Sequence, residues 1–355
     1  MLKPLCGLEP NLEANIESFF SQDYPDFEII FGTRDSNDAA VAVVSRVQQR
    51  HSQVPTKIIF SGEPDRPNAK VCSMQQMYAE ASSDYFVISD SDVEVSSNYL
   101  RQVVTPLLDP RIGLVTCVYR GVPTRGIWSR LEGLGMSVEM TSGVIVAEML
   151  EGMKFALGPT MAARRETIDA VGGMASLADF CADDYVLGHA VYTSGLKVEL
   201  STHVIRHVVK HDSFKASLRQ QLRWMKSTRF SRPVGHLGSG LTFAMPYGIL
   251  GFAVGLVAGH PALGWSLLGW AVLNRMLMAL VVGWGVVRDP FSLLDCWLYP
   301  VRDLLGFLLW CASFMGHTVV WRGIRYRLED GGKMVRTGAA KSEESSGPIT
   351  VDNLA

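Results

Sequence analysis

The chain has 355 residues, with 33 Lys and Arg against 35 Asp and Glu, and a formal charge of -2 at pH 7. That balance lacks the basic excess of a nucleic-acid binder, so no nucleic-acid partner is expected. Hydrophobic residues make up 48%, with 8 Trp and 15 Met, and the length exceeds one ordinary domain, so a soluble unit joined to an embedded one is the expectation.

Met1 runs directly into LKPLCG without the basic-then-apolar pattern of a signal peptide, so membrane insertion is expected to depend on later segments. Asn11 to Phe20 reads as a helix, followed by a turn at DYP and a strand over Phe27 to Phe31. Helices are expected over Ala39 to Arg50, Ala69 to Ala81 and Ser97 to Leu108. Strands are expected over Lys57 to Phe60, Tyr85 to Ser89 and Gly113 to Tyr119. Strand then helix with short connections implies an α/β unit with a mostly parallel sheet covered on both faces, binding ligands at the carboxyl ends of its strands. Gly126 to Phe155 is rich in Met, Leu and Val. It suits either ordinary core packing or an amphipathic surface resting on the bilayer.

Apolar sequence dominates from Leu241 to Trp321. Leu241 to Gly259 carries no charge and, at about 1.5 Å per residue, nearly covers a hydrocarbon core of roughly 30 Å. Ala262 to Val287 holds Asn274 and Arg275 near its middle, and these should face protein or water rather than lipid. Phe291 to Trp321 contains Asp295, Arg302 and Asp303. Its first part, 291–303, is expected to lie at the interface or re-enter, and Leu304 to Trp321 to span. The basic run Arg219, Arg223, Lys226, Arg229 and Arg232 places the soluble unit on the cytoplasmic side. The division is therefore a catalytic unit over 1–235 with interfacial helices, a membrane unit of two or three helices over 241–321, and a disordered tail over 331–355, poor in large apolar residues. The six cysteines, Cys6, Cys72, Cys117, Cys181, Cys296 and Cys311, form no C-x-x-C pair and read as free thiols in a reducing compartment.

The expected third strand, YFVIS, runs into Asp90-Ser91-Asp92. Two acids separated by one residue, just past a buried strand, can hold Mg²⁺ or Mn²⁺ against substrate phosphates, although Asp is also common in solvated turns and helix caps. Asp35, after the first strand, suits a hydrogen bond from a nucleobase or a cap on the helix near Asp38. Asn68 and Lys70 open a helix, where free N–H groups and an ammonium suit phosphate oxygens. Asp183 and Asp184 open another; the pair can simply favour the positive helix end, or one desolvated carboxylate can serve as a base. Gln220, Arg223 and Trp224 precede the apolar region, where Arg223 can donate to phosphate oxygens and Trp224 can anchor at an interface.

Taken together, LKPLCG, NLEANIESFF, DYPDFEI, the DSD, GPTMAARRETIDAVGG, ADDY, Q-x-x-R-W and WRGIRYRLEDGG resemble the processive-type family 2 glycosyltransferases of the GT-A fold. Within these, the chain is similar to the family 21-like ceramide glucosyltransferases and the bacterial hopanoid-biosynthesis glycosyltransferases. The resemblance covers Leu2 to about Gly332. It implies a nucleotide-diphospho-sugar transferase with a C-terminal transmembrane helical region, in a multi-pass protein of a bacterial inner membrane with its catalytic unit facing the cytoplasm. The donor would be a UDP-sugar and the acceptor the hydroxyl of a membrane lipid, hopanoid or ceramide. One hexose or N-acetylhexosamine would be added with inversion.

By the same resemblance Asp35 lies near the uracil, Asp90 at the nucleotide and metal, and Asp92 directly on the metal. Asp184 is the general base, and Gln220, Arg223 and Trp224 close over diphosphate and acceptor. Trp128, Leu131, Met136, Met140 and Asp183 are candidate acceptor contacts. The sequence departs from the family in starting within the LKPL stretch, which a membrane span normally precedes. Some ceramide enzymes have Gly where Asp92 stands, whereas the bacterial relatives keep DSD, which tilts the acceptor toward a hopanoid. A processive polysaccharide synthase and a non-catalytic lipid- or nucleotide-binding protein are the alternatives.

Overall fold

The computed structural model describes residues 1–210 and 213–339. Its main sheet holds β1 (Leu2–Pro4), β2 (Ile29–Thr33), β3 (Thr56–Phe60), β4 (Tyr85–Ile88), β5 (Val93–Glu94), β6 (Ile112–Val122), β7 (Met161–Arg164) and β8 (Lys197–Val208). They lie in the order β3-β2-β1-β4-β7-β6-β8-β5. The pairings β1–β2, β1–β4, β2–β3 and β6–β8 are parallel. Those of β7 with β4 and β6, and of β5 with β8, are antiparallel, so the sheet is mixed rather than mostly parallel. Reversal of β7 has a consequence for the site: its entry, at Gly158 to Thr160, lies at the same edge as the carboxyl end of β4.

The helices that follow in chain order are α1 (Leu12–Phe20), α2 (Ala39–Arg50), α3 (Ala69–Glu80), α4 (Tyr99–Val104), α5 (Gly126–Leu134), α6 (Thr141–Glu151), α7 (Arg165–Ala170) and α8 (Asp183–Thr193). Alternation along β2 fills a core on each face. Ile29 and Phe31 join Ile16, Phe19 and Phe20 of α1 and Val43, Val44 and Val47 of α2. Ile30 turns to the other side, among Val71, Met74 and Met77 of α3, Val144 and Ala147 of α6, and Leu187 and Val191 of α8. Each such fully buried side chain contributes about 1.5–3 kcal/mol, which is what holds short strands such as β1 in place.

The second half holds α9 (Phe214–Ser231), α10 (Pro233–Ser239), α11 (Met245–Val257), α12 (Pro261–Met278), α13 (Pro290–Leu294) and α14 (Tyr299–Ser313). Three strands close the described chain: β9 (Thr318–Trp321), β10 (Ile324–Leu328) and β11 (Met334–Ala339), ordered β11-β10-β9. Two helical runs are long and apolar enough to cross a membrane, Gly126–Glu151 and Pro261–Val286; Pro233–Thr242 with Met245–Val257, bent by 51°, makes a third if counted as one broken span. Both long runs contain π-helical turns, at Gly135–Met140 and Ala279–Val286. Half of the apolar window of Gly126–Glu151 is buried in the protein (50%), against 17% for Pro261–Val286, so the first is partly core and the second faces outward.

Three expectations need correction. Leu304 to Trp321 is not one span: α14 stops at Ser313, Gly316 turns the chain at φ 71°, and Thr318–Trp321 is a strand. The expected disorder fails for 331–339, because β11 pairs antiparallel with β10; residues 340–355 lie outside the described residues. The apolar helical character also begins well before residue 241, at Gly126. All six cysteines are free, as expected.

Charges within the apolar region are turned inward. Arg275 pairs with Asp303 at 3.0 Å, and Arg302 with Glu139 of the π-helical turn at 2.8 Å. Asp303 Oδ2 also accepts from the amides of Ala244 and Met245 at the start of α11, at 3.0 and 2.8 Å. Asp295 takes the Arg130 guanidinium of α5. The helices α11 and α12 meet through glycines: a Cβ on Gly255 would stand 2.7 Å from the Gly264 Cα, the close approach that apolar surroundings favour. Asp303→Ala leaves Arg275 uncompensated and two amides without their acceptor, so a loss of about 3 kcal/mol is expected, read as a lower melting midpoint of the detergent-solubilised chain. An unchanged midpoint would contradict this account of the apolar region.

Candidate active site

The apolar strand β4 ends at Ile88 and delivers Asp90 and Asp92 to the sheet edge, where Val93 pairs with His207 of β8. Their carboxylates part company. Asp90 Oδ1 meets Lys70 Nζ of α3 at 2.7 Å, while Asp92 Oδ2 meets Lys210 Nζ at 3.0 Å and its Oδ1 stands 3.5 Å from His207 Nε2. Three residues from the start of the chain hold the loop. Lys3 Nζ donates to the Asp90 carbonyl at 2.7 Å, Asn15 Nδ2 to the Ser91 carbonyl at 3.2 Å, and Glu9 accepts from Ser91 Oγ at 2.7 Å.

Lys3 is fully buried, its ammonium 3.4 Å from the centre of the Phe19 ring. Burial pulls it down to about 7, a fall limited by Asp90, Asp92 and Glu9. Burial alone would raise Asp92, but His207, Lys210 and Lys3 outweigh it and bring that carboxyl to about 2.

The second acid pair opens α8. Asp184 Oδ2 accepts from the Gly158 amide at 2.8 Å and its Oδ1 from the Tyr185 amide at 2.8 Å. A Cβ on Gly158 would press to 3.1 Å from that oxygen. Asp183 is buried, accepts from Asn68 Nδ2 at 3.2 Å and lies 3.7 Å from Lys70 Nζ. Asn68 thereby does two tasks, since its Oδ1 also caps α3 by accepting from Val71.

Lys70 thus touches both acid motifs. Burial works against its charge, yet Asp183, Asp90 and Asp184 together hold its pKa above the ordinary lysine value. Asp184 is raised to about 6, first by burial and then by Asp183, against Lys70 and the two amides. The Tyr119 hydroxyl of β6 is pushed up by burial first and then by the charges of Asp184, Asp92 and Asp90.

The other expected residues lie apart from this cluster. Asp35 is exposed after β2, accepting from the amide and side chain of Asn37 at 2.8 and 3.1 Å. The cap on α2 belongs instead to Asp38, which accepts from Ala40. Gln220, Arg223 and Trp224 form a knot on α9: the Gln220 amide oxygen, suitably oriented, accepts from Arg223 Nη2 at 2.8 Å and Trp224 Nε1 at 3.2 Å. Arg223 also lies over the Trp321 ring of β9 at 5.1 Å. An open groove of about 220 Å³ runs past Ala216, Arg219, Gln220, Arg223 and Val320.

Among the candidate acceptor contacts, Trp128 packs on Phe214 with centroids 4.3 Å apart and the rings tilted by 39°, and Met140 is half-buried. Leu131 and Met136 are core residues with almost no exposed surface, Leu131 packed with Leu134, Val138, Ala279 and Tyr299.

Among the described residues no three His, Cys, Asp or Glu side chains are grouped to hold a metal ion. The donor chemistry still fits a hard cation. Asp92 Oδ1 is buried without a hydrogen bond, and Lys210 already sets a positive charge on Oδ2. Lys3, Glu9, Tyr119, His207 and Lys210 were missed by the sequence reading. A lone Lys inside the apolar LKPL was the one signal available; the others carry no local pattern.

A profile of glycosyl transferase family 21 matches residues 1–334. The chain is 25% identical over 339 residues to ceramide glucosyltransferase 1 of Caenorhabditis elegans, covering 94% of this chain and 72% of that one. It is 24% identical over 340 residues to ceramide glucosyltransferase 3 of the same organism, covering 94% and 73%. In fold it is similar to a mannosyltransferase from Pyrobaculum calidifontis solved in complex with GDP-Man and Mn2+, with a TM-score of 0.51, 17% identity and 86% of each chain covered.

Removing the charge beside Asp184 should be visible directly. Asp183→Asn deletes the neighbouring negative charge that helps hold Asp184 near 6, so its titration should move to lower pH. ¹³C-carboxyl NMR of the labelled protein checks this, and a midpoint that stays or rises would show that the two carboxylates do not interact.

Proposed function

The chain belongs to glycosyl transferase family 21, and from that premise we propose that it moves one sugar from a UDP-sugar to the hydroxyl of a membrane lipid, with inversion at the anomeric carbon. The observation that carries this reading is the meeting of the Asp90–Asp92 loop with Asp183–Asp184 across Lys70. Relatives named ceramide glucosyltransferases support a ceramide-like acceptor carrying a free alcohol and a hexose donor; a hopanoid acceptor or an N-acetylhexosamine donor is the alternative that the substrate test below separates. Exposed Leu250, Val254, Val257, Trp265, Trp270 and Trp284 support a multi-pass protein, and the basic run Arg219, Arg223, Lys226, Arg229 and Arg232 supports 1–235 as the catalytic unit at the cytoplasmic face.

Asp184 takes the acceptor proton. With its pKa near 6 it is mostly ionised at pH 7, yet basic enough to accept a proton as the oxygen attacks. The new carbon–oxygen bond forms on the face opposite the nucleotide as the bond to the diphosphate breaks, and the electron pair leaves with UDP. Asp92, with Asp90 beside it, would hold Mg²⁺ or Mn²⁺, which supplies positive charge for the departing diphosphate. Lys70 keeps Asp90 and Asp183 oriented and offers an ammonium to phosphate oxygens. Asp35 suits the uracil edge. Arg223, held by Gln220, offers a guanidinium suited to diphosphate oxygens.

Asp184→Asn should retain UDP affinity while losing about 10²-fold or more in turnover. Because only the ionised carboxylate accepts a proton, the wild-type rate should fall as pH drops through about 6. UDP-glucose and UDP-N-acetylglucosamine offered against ceramide and a polyhydroxylated hopanoid, with mass spectrometry of the glycolipids, identify the substrates. Near-normal transfer by Asp184→Asn would remove that residue from the role.

A further inference from the structure

The segment that follows the last apolar helix reaches back into the active site. Phe180 pairs with Lys333 as an antiparallel bridge; the Cys181 amide donates to the Gly332 carbonyl at 3.0 Å and the Met334 amide to the Asp179 carbonyl at 2.7 Å. The loop so gripped ends at Asp183 and Asp184. On its opposite side α3 holds the same loop, through the Asn68 amide to the Ala178 carbonyl at 2.8 Å and Asn68 Nδ2 to the Phe180 carbonyl at 2.9 Å. Cys181 is sealed among Val319, Tyr326, Leu328 and Met334 of the three-stranded sheet, with Phe230 of α9 against them.

The same segment also seats α9. Arg223 lies over Trp321, Lys226 Nζ donates to the Thr318 carbonyl at 3.1 Å, and Gly332 packs on Ser231. Gly332 has no substitute: its φ is +83°, and a Cβ there would come within 2.4 Å of Ser231 Oγ. One short piece of chain therefore touches both the acid loop and the helix carrying Arg223.

We propose that residues 318–339 are a positioning strap of the catalytic site, setting the Asp184 carboxylate and the Arg223 guanidinium in one frame, with Gly332 as the residue on which that frame turns. The inference rests on the assignment of Asp184 as base. Reaction geometry is unforgiving, so a shift of about 1 Å in the acid loop is expected to cost turnover far more than donor affinity.

The test uses the full-length chain in detergent, with Gly332→Ala and Met334→Pro, the latter removing the amide that reaches Asp179 together with the Met334 side chain packed on Cys181. Turnover should fall on the order of ten- to a hundredfold while the UDP dissociation constant stays within about twofold, and the acid limb of the pH–rate profile should shift. Ser231→Gly placed in the Gly332→Ala background should restore part of the rate. Turnover within about twofold of wild type in both variants overturns the strap, as does parallel loss of turnover, UDP affinity and melting midpoint, which marks a purely stabilising segment. Asp184→Asn is run alongside: an active Asp184→Asn removes the base assignment itself, whereas an inactive one beside unimpaired strap variants removes the strap alone.

Discussion

The ammonium of Lys70 is the contact on which the site depends. It lies 2.7 Å from Asp90 and 3.7 Å from Asp183, and so joins two acidic motifs far apart in the chain. Unit charges about 4 Å apart interact by about 4 kcal/mol at an effective dielectric constant of 20, so carboxylates gathered without such a partner would protonate or separate. Even with it the cleft is acidic: Asp90, Asp92, Asp183, Asp184 and Glu9 stand against Lys3, Lys70 and Lys210. That excess has two consequences. It adds to burial in raising Asp184, and it favours a further cation in the cleft.

The soluble and apolar parts are not hinged modules. The run Gly126–Glu151 belongs to both, with Val144 and Ala147 in the core over the sheet and Leu131, Leu134 and Val138 against Ala279, Leu298 and Tyr299. Ion pairs tie the remainder together: Arg302 with Glu139, Arg130 with Asp295, and Arg232 with Glu151. The α/β unit and the apolar helices therefore form one packed body.

Much of this was legible in the sequence where one segment carries the whole signal. The strands IIFGT and YFVI are apolar runs with short polar exits, and Asp90, Asp92 and Asp184 sit just where such exits or helix starts would place them. Arg275 was correctly expected to avoid lipid, because a charge within an apolar helix must find a partner; Asp303 is that partner. What escaped depends on neighbours from elsewhere. The strand β7, MAAR, is too short and too alanine-rich to announce itself, and its antiparallel insertion is a property of the sheet. Gly332 to Met334 looks disordered alone and is ordered by hydrogen bonds from the 179–181 backbone together with its pairing to β10. Lys3, Glu9 and Lys210 gain meaning solely from the loop they grip.

The most direct measurement is a cryo-EM map of the full chain in lipid nanodiscs with UDP and Mn²⁺. The account predicts diphosphate density between Lys70 and the Asp90–Asp92 loop, an ion on Asp92, and Asp184 lining the same cleft on the side open to the bilayer. Nucleotide density elsewhere, or Asp184 walled off from the diphosphate, would contradict it.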